Sequence, residues 1–326
     1  MSTFKIYTGK EFMKLKLEKR KFLIDRFIKE KDSVILVGTE KSGKSLITKQ
    51  MMCSLTSGHP FLDKHEVPNA VKVVYVQAEG ELEDTQDRFK RMIKAIDFDP
   101  DMFMIKFTGP MALQDKNEAI KFREELREFN PSLIVIDPVY FAFEGDLNDN
   151  SVVRKFTGNI RMIKEALNCA IMLVHHTHNI KYNNKGSAIV EGDDAIFGSK
   201  FFKAWADHIL FFIYDKKNDV RILKCDTQRS NEIQRDSKLK LNEPNPLYFE
   251  EIDDNPTRED RVIEALRKNP DGLTVPQLEE VTKTSIKTLY RSFKDLLSKG
   301  IISKTEKRPV VYSLKGTYSN ISPNTN

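Results

Sequence analysis

Several features that mark particular classes of protein are absent from this sequence or scarce in it. No segment approaches the ~20 consecutive apolar residues of a membrane-spanning helix, and the first residues lack the continuous apolar core of a secretory signal. The three cysteines, Cys53, Cys169 and Cys225, are widely separated and fit no zinc-binding spacing, so reduced thiols are expected. These absences favour a cytoplasmic protein that has no membrane partner.

A strong charge of one sign is also lacking. The 53 Lys and Arg residues are nearly balanced by 48 Asp and Glu residues, and the net charge of +5 permits a nucleic-acid partner without requiring one. With 40% hydrophobic and 31% charged residues, the composition is that of a globular protein rather than a disordered one. The length of 326 residues accommodates one large domain and a small one, or two domains of medium size.

Short apolar runs alternate with amphipathic segments through the first three quarters of the chain. The runs are rich in Val, Ile and Leu without polar alternation, which is typical of strands buried on both faces. They lie at 33–38, 71–79, 102–107, 132–137 and 170–176, and helical patterns fill 44–57, 81–96, 117–129 and 151–167. Two further runs, 208–214 and 220–225, predict a hairpin at a sheet edge. The alternation predicts an α/β fold with a mostly parallel sheet between helices.

The pattern changes after the polar, proline-containing segment 251–257. Three amphipathic helical patterns follow, at 258–268, 272–282 and 284–300. Two short β-runs then flank the sequence "EKRP". Three helices followed by a hairpin indicate a winged helix-turn-helix. The predicted organisation is a large domain at 1–252, a winged-helix domain at 253–316 and a disordered tail at 317–326.

The segment "VILVGTEKSGKS" runs from a predicted strand into glycines, a lysine and serines that no core can use. It matches the phosphate-loop pattern G-x-x-x-x-G-K-[ST], between a strand and a helix. Backbone N–H groups of such a loop, with the helix N-terminus, attract phosphate oxygens. We expect Lys44 to reach the β- and γ-phosphates of ATP and the Ser45 hydroxyl to bind Mg²⁺. The predicted nucleotide-binding residues are Gly38, Thr39, Glu40, Lys41, Ser42, Gly43, Lys44 and Ser45.

Two carboxylates at strand ends supply further expected parts of a phosphate-transfer site. The run "SLIVIDP" ends in Asp137, at a place where a carboxylate supports the metal ion and its water. No glutamate follows Asp137, so the catalytic base is sought at a neighbouring strand. Glu79, in "VYVQAEGE", is predicted to orient or deprotonate the attacking water. The alternative is an ordinary acid at a helix N-terminus, a role that Glu81 fits better.

The fifth apolar run ends in "HHTHN". Three imidazoles suggest a metal site, but His175 and His176 are adjacent on a strand and face opposite ways. No acidic or cysteine partner with metal-site spacing is near them in the sequence. Because the pair lies at a strand tip, His176 is predicted to sense the γ-phosphate by donating a hydrogen bond. A purely structural role for the two histidines is the alternative.

The phosphate loop, Glu79, "LIVIDP" and "HHTHN", in this order, resemble the RecA-like core of RepA-type replicative helicases, hexameric ATPases related to the DnaB class. The resemblance covers about residues 5–250, including "FLIDRFIKEKD", where that family has a short lead-in helix. It implies ATP hydrolysis between subunits of a homo-oligomeric ring, with an arginine finger on the late strands. Arg229 stands at that place, although Thr227 replaces the usual lysine before it. A solvated loop arginine is the alternative reading of Arg229.

Two parts of the chain are candidates for contact with DNA. In RecA-like motors, loops after the fourth and fifth core strands line the central channel. Here the first loop, 143–151, is acidic, whereas the second, 179–200, offers Lys181 and Lys185 to single-stranded DNA. A long glycine-containing loop at this place is more often functional than idle.

The third helix of the C-terminal domain is the predicted recognition helix for duplex DNA. Its apolar positions Ile286, Leu289, Phe293 and Leu296 predict a buried stripe, which leaves the basic positions exposed. Such residues favour contacts with phosphates. The predicted duplex contacts are Lys283, Lys287, Thr288, Arg291, Lys294, Lys307 and Arg308. The alternative is a protein-interaction or oligomerisation module with an ordinary solvated face.

Taken together, these features predict a Mg²⁺-dependent ATPase of the RepA-like helicase type that acts on DNA as a hexameric ring. The predicted catalytic residues are Lys44, Glu79, Asp137, His176 and Arg229. The competing hypothesis is a DNA-binding regulatory or scaffold protein in which nucleotide only switches assembly. A small-molecule kinase is a third possibility, but it gives no reason for a winged helix.

Overall fold

The computed structural model divides the chain into two compact units, Met1–Ile252 and Asp253–Asn326. Within the part of the chain that it describes, no helix has both the length and the apolarity needed to cross a bilayer. The described residues are 6–17, 19–176, 181–182, 188–189, 200–216, 218–227, 236–252, 258–298, 301–305 and 308–314.

The first unit alternates strands and helices along most of its length. Its helices are α1 (Gly9–Lys14), α2 (Lys44–Ser57), α3 (Leu82–Met92), α4 (Lys116–Arg127), α5 (Asn150–Leu167) and α6 (Lys200–Trp205). Its strands are β1 (Phe22–Ile24), β2 (Ile28–Lys29), β3 (Ser33–Gly38), β4 (Val73–Gln77), β5 (Phe103–Phe107), β6 (Leu133–Asp137), β7 (Ala170–His176), β8 (Lys181–Tyr182), β9 (Ala188–Ile189), β10 (His208–Asp215), β11 (Val220–Thr227), β12 (Ser237–Asn242) and β13 (Tyr248–Ile252).

Nine of these strands form one sheet in the order β13-β12-β11-β10-β3-β7-β6-β4-β5. Neighbours from β10 to β5 are parallel, whereas β11, β12 and β13 pair antiparallel. Every residue of β3, β4 and β6 is buried, because helices cover both faces of the sheet. The predicted α/β fold with a mostly parallel sheet is confirmed.

Each face of the sheet has its own apolar core. On one face, helices α4 and α5 contribute residues such as Phe122, Phe156 and Ile160. On the other, α2 contributes Ile47 and Met51, together with other residues of the same helix. Because both faces are apolar, polar groups of the central strands are displaced to the strand ends.

The segment before the phosphate loop differs from what the resemblance implied. A short helix is present, α1, but it buries none of its side chains. The quoted segment that follows contains the β1–β2 hairpin instead, which turns at Arg26 with a φ of 63°. Leu23, Ile24, Phe27 and Ile28 are buried there, and this spacing suits a helix as well as a tight hairpin. Arg26 has a left-handed backbone conformation, which a helix does not allow, so the segment forms the hairpin.

The predicted hairpin of β10 and β11 is antiparallel, but it does not lie at the sheet edge. Strands β12 and β13 extend the sheet beyond it. The last strand is also joined to α2 by a pair of hydrogen bonds. The backbone N–H of Phe249 donates to Gln50 Oε1 (2.7 Å), and Gln50 Nε2 donates to the carbonyl of Phe249 (2.8 Å). The alternation "KLKL" in β12 was the available sequence signal for this edge.

The second unit contains three helices and a small sheet. Its elements are α7 (Arg258–Arg267), β14 (Leu273–Thr274), α8 (Val275–Thr282), α9 (Ile286–Ser298), β15 (Ile302–Lys304) and β16 (Val311–Leu314). The sheet has the order β14-β16-β15, so the predicted hairpin gains a third strand from the segment assigned to the second helix. Leu289, Phe293 and Leu296 of α9 enter the core, as predicted. Ile286 does not, since 39% of it is exposed in the first turn of the helix.

Candidate functional site

The candidate site lies where four neighbouring parallel strands end. Strand β7 pairs with β3 so that His176 lies opposite Gly38. On the other side, β4 pairs with β6 so that Gln77 lies opposite Asp137. The carboxyl ends of parallel strands meet at one edge, where ligands of open α/β sheets bind. The register therefore brings the predicted loop, acid and histidine residues to one edge.

The phosphate loop has a shape that only glycine permits at two positions. Gly43 precedes α2 with a φ of 98°, and a Cβ atom on it would lie 2.9 Å from Phe249 Cζ. A Cβ on Gly38 would lie 2.3 Å from the carbonyl oxygen of Phe212. No side chain caps the N-terminus of α2, a helix of 14 residues. Its first N–H groups and its dipole therefore suit an anion, such as a phosphate.

Lys44 is buried at the centre of this loop. Its Nζ donates to the carbonyl oxygens of Gly38 (2.9 Å) and Thr39 (2.7 Å), and it lies 3.3 Å from His176 Nδ1. Burial lowers the pKa of Lys44 to about 8, against the opposing effect of nearby carboxylates, of which Asp137 is the strongest. The ammonium group is therefore held beside the helix N-terminus by weak neutral acceptors, which phosphate oxygens would replace.

Asp137 and Ser45 form a donor set of the kind that Mg²⁺ prefers. The Asp137 side chain is buried, and its Oδ2 accepts a hydrogen bond from the Tyr75 hydroxyl (2.7 Å). Ser45 follows Lys44 in the first turn of α2 and lies near the same tyrosine hydroxyl. Carboxylate and hydroxyl oxygens are hard ligands that suit this cation. These two residues therefore fit a metal that accompanies a nucleotide.

Glu79 lies in the loop after β4, between the strand and α3. The N-cap position of α3 is Glu81, whose side chain makes no capping hydrogen bond. Glu79 instead accepts a hydrogen bond at Oε2 from the Tyr140 hydroxyl (3.0 Å). Desolvation and this bond to Glu79 raise the pKa of Tyr140, so the phenol remains protonated and donates. The predicted base is thus beside the site, in contact with a tyrosine.

The two histidines have different surroundings. His175 is buried, its Nδ1 lies 2.7 Å from the carbonyl oxygen of His176, and its ring meets Phe202 edge to face. The His176 ring faces the phosphate loop at Lys44 and lies 5.6 Å from the Tyr140 ring. Burial, followed by the Lys44 charge, lowers the pKa of His176, so the imidazole is neutral at pH 7. With Nδ1 facing the ammonium of Lys44, Nε2 carries the proton and can donate.

Comparisons with known proteins give the family and the fold of the chain. Residues 8–180 match the family described as AAA domain. The chain belongs to this family. No curated protein matches the sequence.

Among solved structures, this chain is similar to a KaiC-like protein from the hyperthermophilic archaeon Pyrococcus horikoshii. The TM-score is 0.51 at 13% sequence identity, over 72% of this chain and 99% of that one. It is also similar to the ATPase domain of a DnaB-like protein, with a TM-score of 0.50 at 11% identity, over 65% of this chain and 82% of that one. At such identities the likeness shows the fold. The first unit of this AAA domain protein has a RecA-like fold with a phosphate loop.

Some predicted site residues of the AAA domain protein lie outside the described part of the chain. These are Arg229, Lys185 and Lys307. Lys181 is described only as part of the backbone of β8. In the second unit, Thr288 is half-buried, and the exposed members of the predicted set are Lys283, Lys287, Arg291, Lys294 and Arg308.

Three residues that the sequence reasoning missed contact the site of the AAA domain. Tyr140 bonds to Glu79, Tyr75 bonds to Asp137, and Lys49 Nζ donates to the Tyr75 hydroxyl (2.8 Å). Lys49 lies in a segment whose sequence predicts the apolar face of a helix, and Tyr75 lies in a segment whose sequence predicts an apolar strand. A lysine on a helix face that is otherwise buried was the available signal for this contact.

We expect nucleotide binding to take up a proton near pH 8. Phosphate oxygens beside Lys44 raise its pKa from about 8. At that pH about half of the lysine must gain a proton on binding, and one pH unit lower only about a tenth must. Isothermal titration calorimetry without Mg²⁺, in two buffers of different ionisation enthalpy, measures this uptake.

The matched control for this experiment is Lys49→Met. Burial also lowers the pKa of Lys49 to about 8, but Tyr75 separates this lysine from the phosphate loop. The variant should therefore keep the proton uptake. Equal binding heats in both buffers at pH 8 would contradict the assignment of Lys44.

Proposed function

We propose that this protein is an ATP-hydrolysing, RepA-like DNA helicase or replication ATPase that acts as a hexameric ring. The observation that carries the proposal is the meeting of Lys44, Glu79, Asp137 and His176 at adjacent strand ends of an AAA domain. Each has the chemistry that one part of phosphoryl transfer needs. ATP is the proposed substrate.

In the proposed reaction, Lys44 exchanges the carbonyls of Gly38 and Thr39 for phosphate oxygens. Ser45 and Asp137 would hold Mg²⁺, which when bound neutralises phosphate charge. Glu79 orients the attacking water and accepts its proton, while His176 donates from Nε2 to the γ-phosphate. For Glu79 to serve as the base, its carboxylate must turn from the Tyr140 hydroxyl towards the water.

The ring is proposed because the resemblance to RepA-type helicases implies that ATP is hydrolysed between neighbouring subunits. We assign the role of arginine finger to Arg229, acting on the nucleotide of a neighbouring subunit. Single-stranded DNA would pass through the channel of the ring beside Lys181 and Lys185. The protein would function in the cytoplasm, without a membrane partner.

The second unit is proposed as a winged-helix module that binds duplex DNA. Its described elements follow the order helix, strand, helix, helix, strand, strand. Along α9 and just before it, Lys283, Lys287, Arg291 and Lys294 are all exposed, on the side away from the core residues Leu289 and Phe293. Exposed cations on one helix face suit a phosphate backbone.

A nucleotide-switched regulatory or scaffold protein is the second candidate function. It is favoured by the loop after β6, which would line the channel of a ring. Exposed carboxylates at Glu144, Asp146 and Asp149 lie there, and they would repel a phosphate backbone. In that function, ATP binding changes assembly, and DNA does not stimulate turnover.

The experiment that separates the two functions is the ATPase rate with and without single-stranded DNA, together with the mass of the assembly. The helicase proposal predicts a DNA-stimulated rate and the mass of a ring. The Lys44→Ala variant controls for contaminating ATPases, because it removes the cation that contacts phosphate. Intact ATP binding with no response of the rate to DNA would support the switch instead.

Glu79→Gln is expected to retain ATP binding and to lower the rate of hydrolysis by about 100-fold or more, because the amide cannot accept the proton. Single-turnover hydrolysis and equilibrium binding of a fluorescent ATP analogue measure the two effects. Glu81→Gln is the matched control, two residues away at the N-cap of α3, and should hydrolyse ATP like the wild type. A Glu79→Gln rate within about threefold of the wild type would rule out the base assignment.

Duplex binding by the full chain should weaken steeply with salt. For each phosphate contact, the logarithm of the binding constant should fall by about 0.9 for every tenfold rise in salt concentration. The double variant Lys287→Ala/Arg291→Ala removes two of the proposed phosphate contacts. Its plot of log binding constant against log salt concentration should therefore be shallower by nearly two units. Lys116→Ala/Arg127→Ala, which removes two exposed cations of α4, is the control and should leave the slope unchanged. Fluorescence anisotropy at several salt concentrations gives the slopes, and an unaltered slope in the first variant would contradict the α9 interface.

A further inference from the structure

A chain of buried polar groups leads from the interior of the first unit to Asp137, the carboxylate that is proposed to hold Mg²⁺. Lys49 Nζ donates to the Tyr75 hydroxyl (2.8 Å), and this hydroxyl donates to Asp137 Oδ2 (2.7 Å). The exposed fraction is 1% for Lys49, 1% for Tyr75 and 5% for Asp137. The three groups come from α2, β4 and β6, so they join the helix of the phosphate loop to two central strands.

Lys49 is an unfavourable residue for this position if packing alone is considered. It lies near Ile47, Met51 and Met52 on α2, all of which are buried in the apolar core. Burial lowers its pKa to about 8, and the Asp137 carboxylate offsets only part of this effect. A buried ammonium without a carboxylate in direct contact is destabilising, and an apolar side chain of similar volume avoids that penalty.

The arrangement of donors determines where the tyrosine proton points. A phenolic hydroxyl has one proton to donate, and it accepts from charged neighbours through its oxygen. The Lys49 ammonium has only protons to offer, so Tyr75 accepts from it and gives its own proton to Asp137. Ser45 lies near the same hydroxyl. Tyr75 thus bonds to one of the two residues that are expected to hold Mg²⁺ and lies near the other.

We propose that Tyr75 is a positioning residue of the metal site, which orients the Asp137 carboxylate for Mg²⁺, and that Lys49 acts through Tyr75 by fixing its hydroxyl. The inference rests on the nucleotide-binding part of the proposed function, and it holds whether or not the protein unwinds DNA. Partners of metal ligands at one remove typically change metal affinity by about 10–100-fold when they are replaced.

The test measures the binding of a fluorescent ATP analogue at increasing Mg²⁺ concentrations and in EDTA. Tyr75→Phe removes the hydroxyl and keeps the ring. Mg²⁺ increases the affinity for the nucleotide, and the variant should need about ten times more Mg²⁺ to reach half of that increase. Its affinity for the nucleotide in EDTA should be unchanged. Lys49→Met should act in the same direction with a smaller effect, because the hydroxyl remains but loses the donor that orients it.

Two further measurements separate positioning from packing. In the Tyr75→Phe background, adding Lys49→Met should change the Mg²⁺ requirement little, since Lys49 acts through the missing hydroxyl. The melting temperature of Lys49→Met should equal or exceed that of the wild type, because a buried charge is removed. Tyr214→Phe is the control, since it removes a comparable tyrosine–aspartate bond, to Asp219, in the exposed β10–β11 hairpin.

Several outcomes would overturn the inference. One is an unchanged Mg²⁺ requirement in Tyr75→Phe, and another is an equal loss of affinity with Mg²⁺ and in EDTA, which would place the effect in the phosphate loop. A Lys49→Met protein that melts lower or does not fold assigns Lys49 to the core, while Tyr75→Phe still decides the role of the tyrosine. A wild-type protein that binds no nucleotide overturns the proposed function as well, whereas binding without DNA-stimulated turnover leaves this inference standing.

Discussion

The burial of the central strands on both faces is the constraint on which the site depends. Strands β3, β4 and β6 have no exposed face, so a polar side chain in the middle of one, such as Tyr75, needs hydrogen-bond partners. Parallel pairing then aligns their carboxyl ends, so polar side chains that are excluded from the middle of the sheet collect along one edge. The phosphate loop, the carboxylate of Asp137 and the imidazole of His176 come together for this reason, although the chain separates them widely.

Much of this arrangement was accessible from the sequence, because the strands are visible as apolar runs and each predicted catalytic residue near the phosphate loop lies at the end of one or a few residues after it. The bounds of β3, α2 and β7 match the predicted ones. Sequence reasoning failed where local spacing fits two structures, as in the β1–β2 hairpin, and where alternation was short, as at the β12–β13 edge. Ile286 was assigned to the core by its helical spacing, but the first turn of α9 projects beyond it.

The contacts that tune the site were not accessible in the same way. Tyr75 occupies a strand position that an apolar residue would fill as well, and its hydroxyl matters only because β6 brings Asp137 beside it. Tyr140 meets Glu79 across 61 residues of chain, through a loop whose path no periodicity predicts. Hydrogen bonds of this kind depend on tertiary register, whereas secondary structure depends on neighbours in the sequence.

The two hydrogen bonds between Gln50 and Phe249 have a practical consequence for dissecting the protein. They make β13 a structural part of the phosphate loop, since the same phenylalanine ring lies against Gly43. A fragment that stops before Tyr248 would leave the Gln50 amide without its partners in an apolar interior and uncover the flank of the loop. The smallest fragment of the first unit worth expressing therefore extends through Ile252, far past His176, the last described residue of the candidate site.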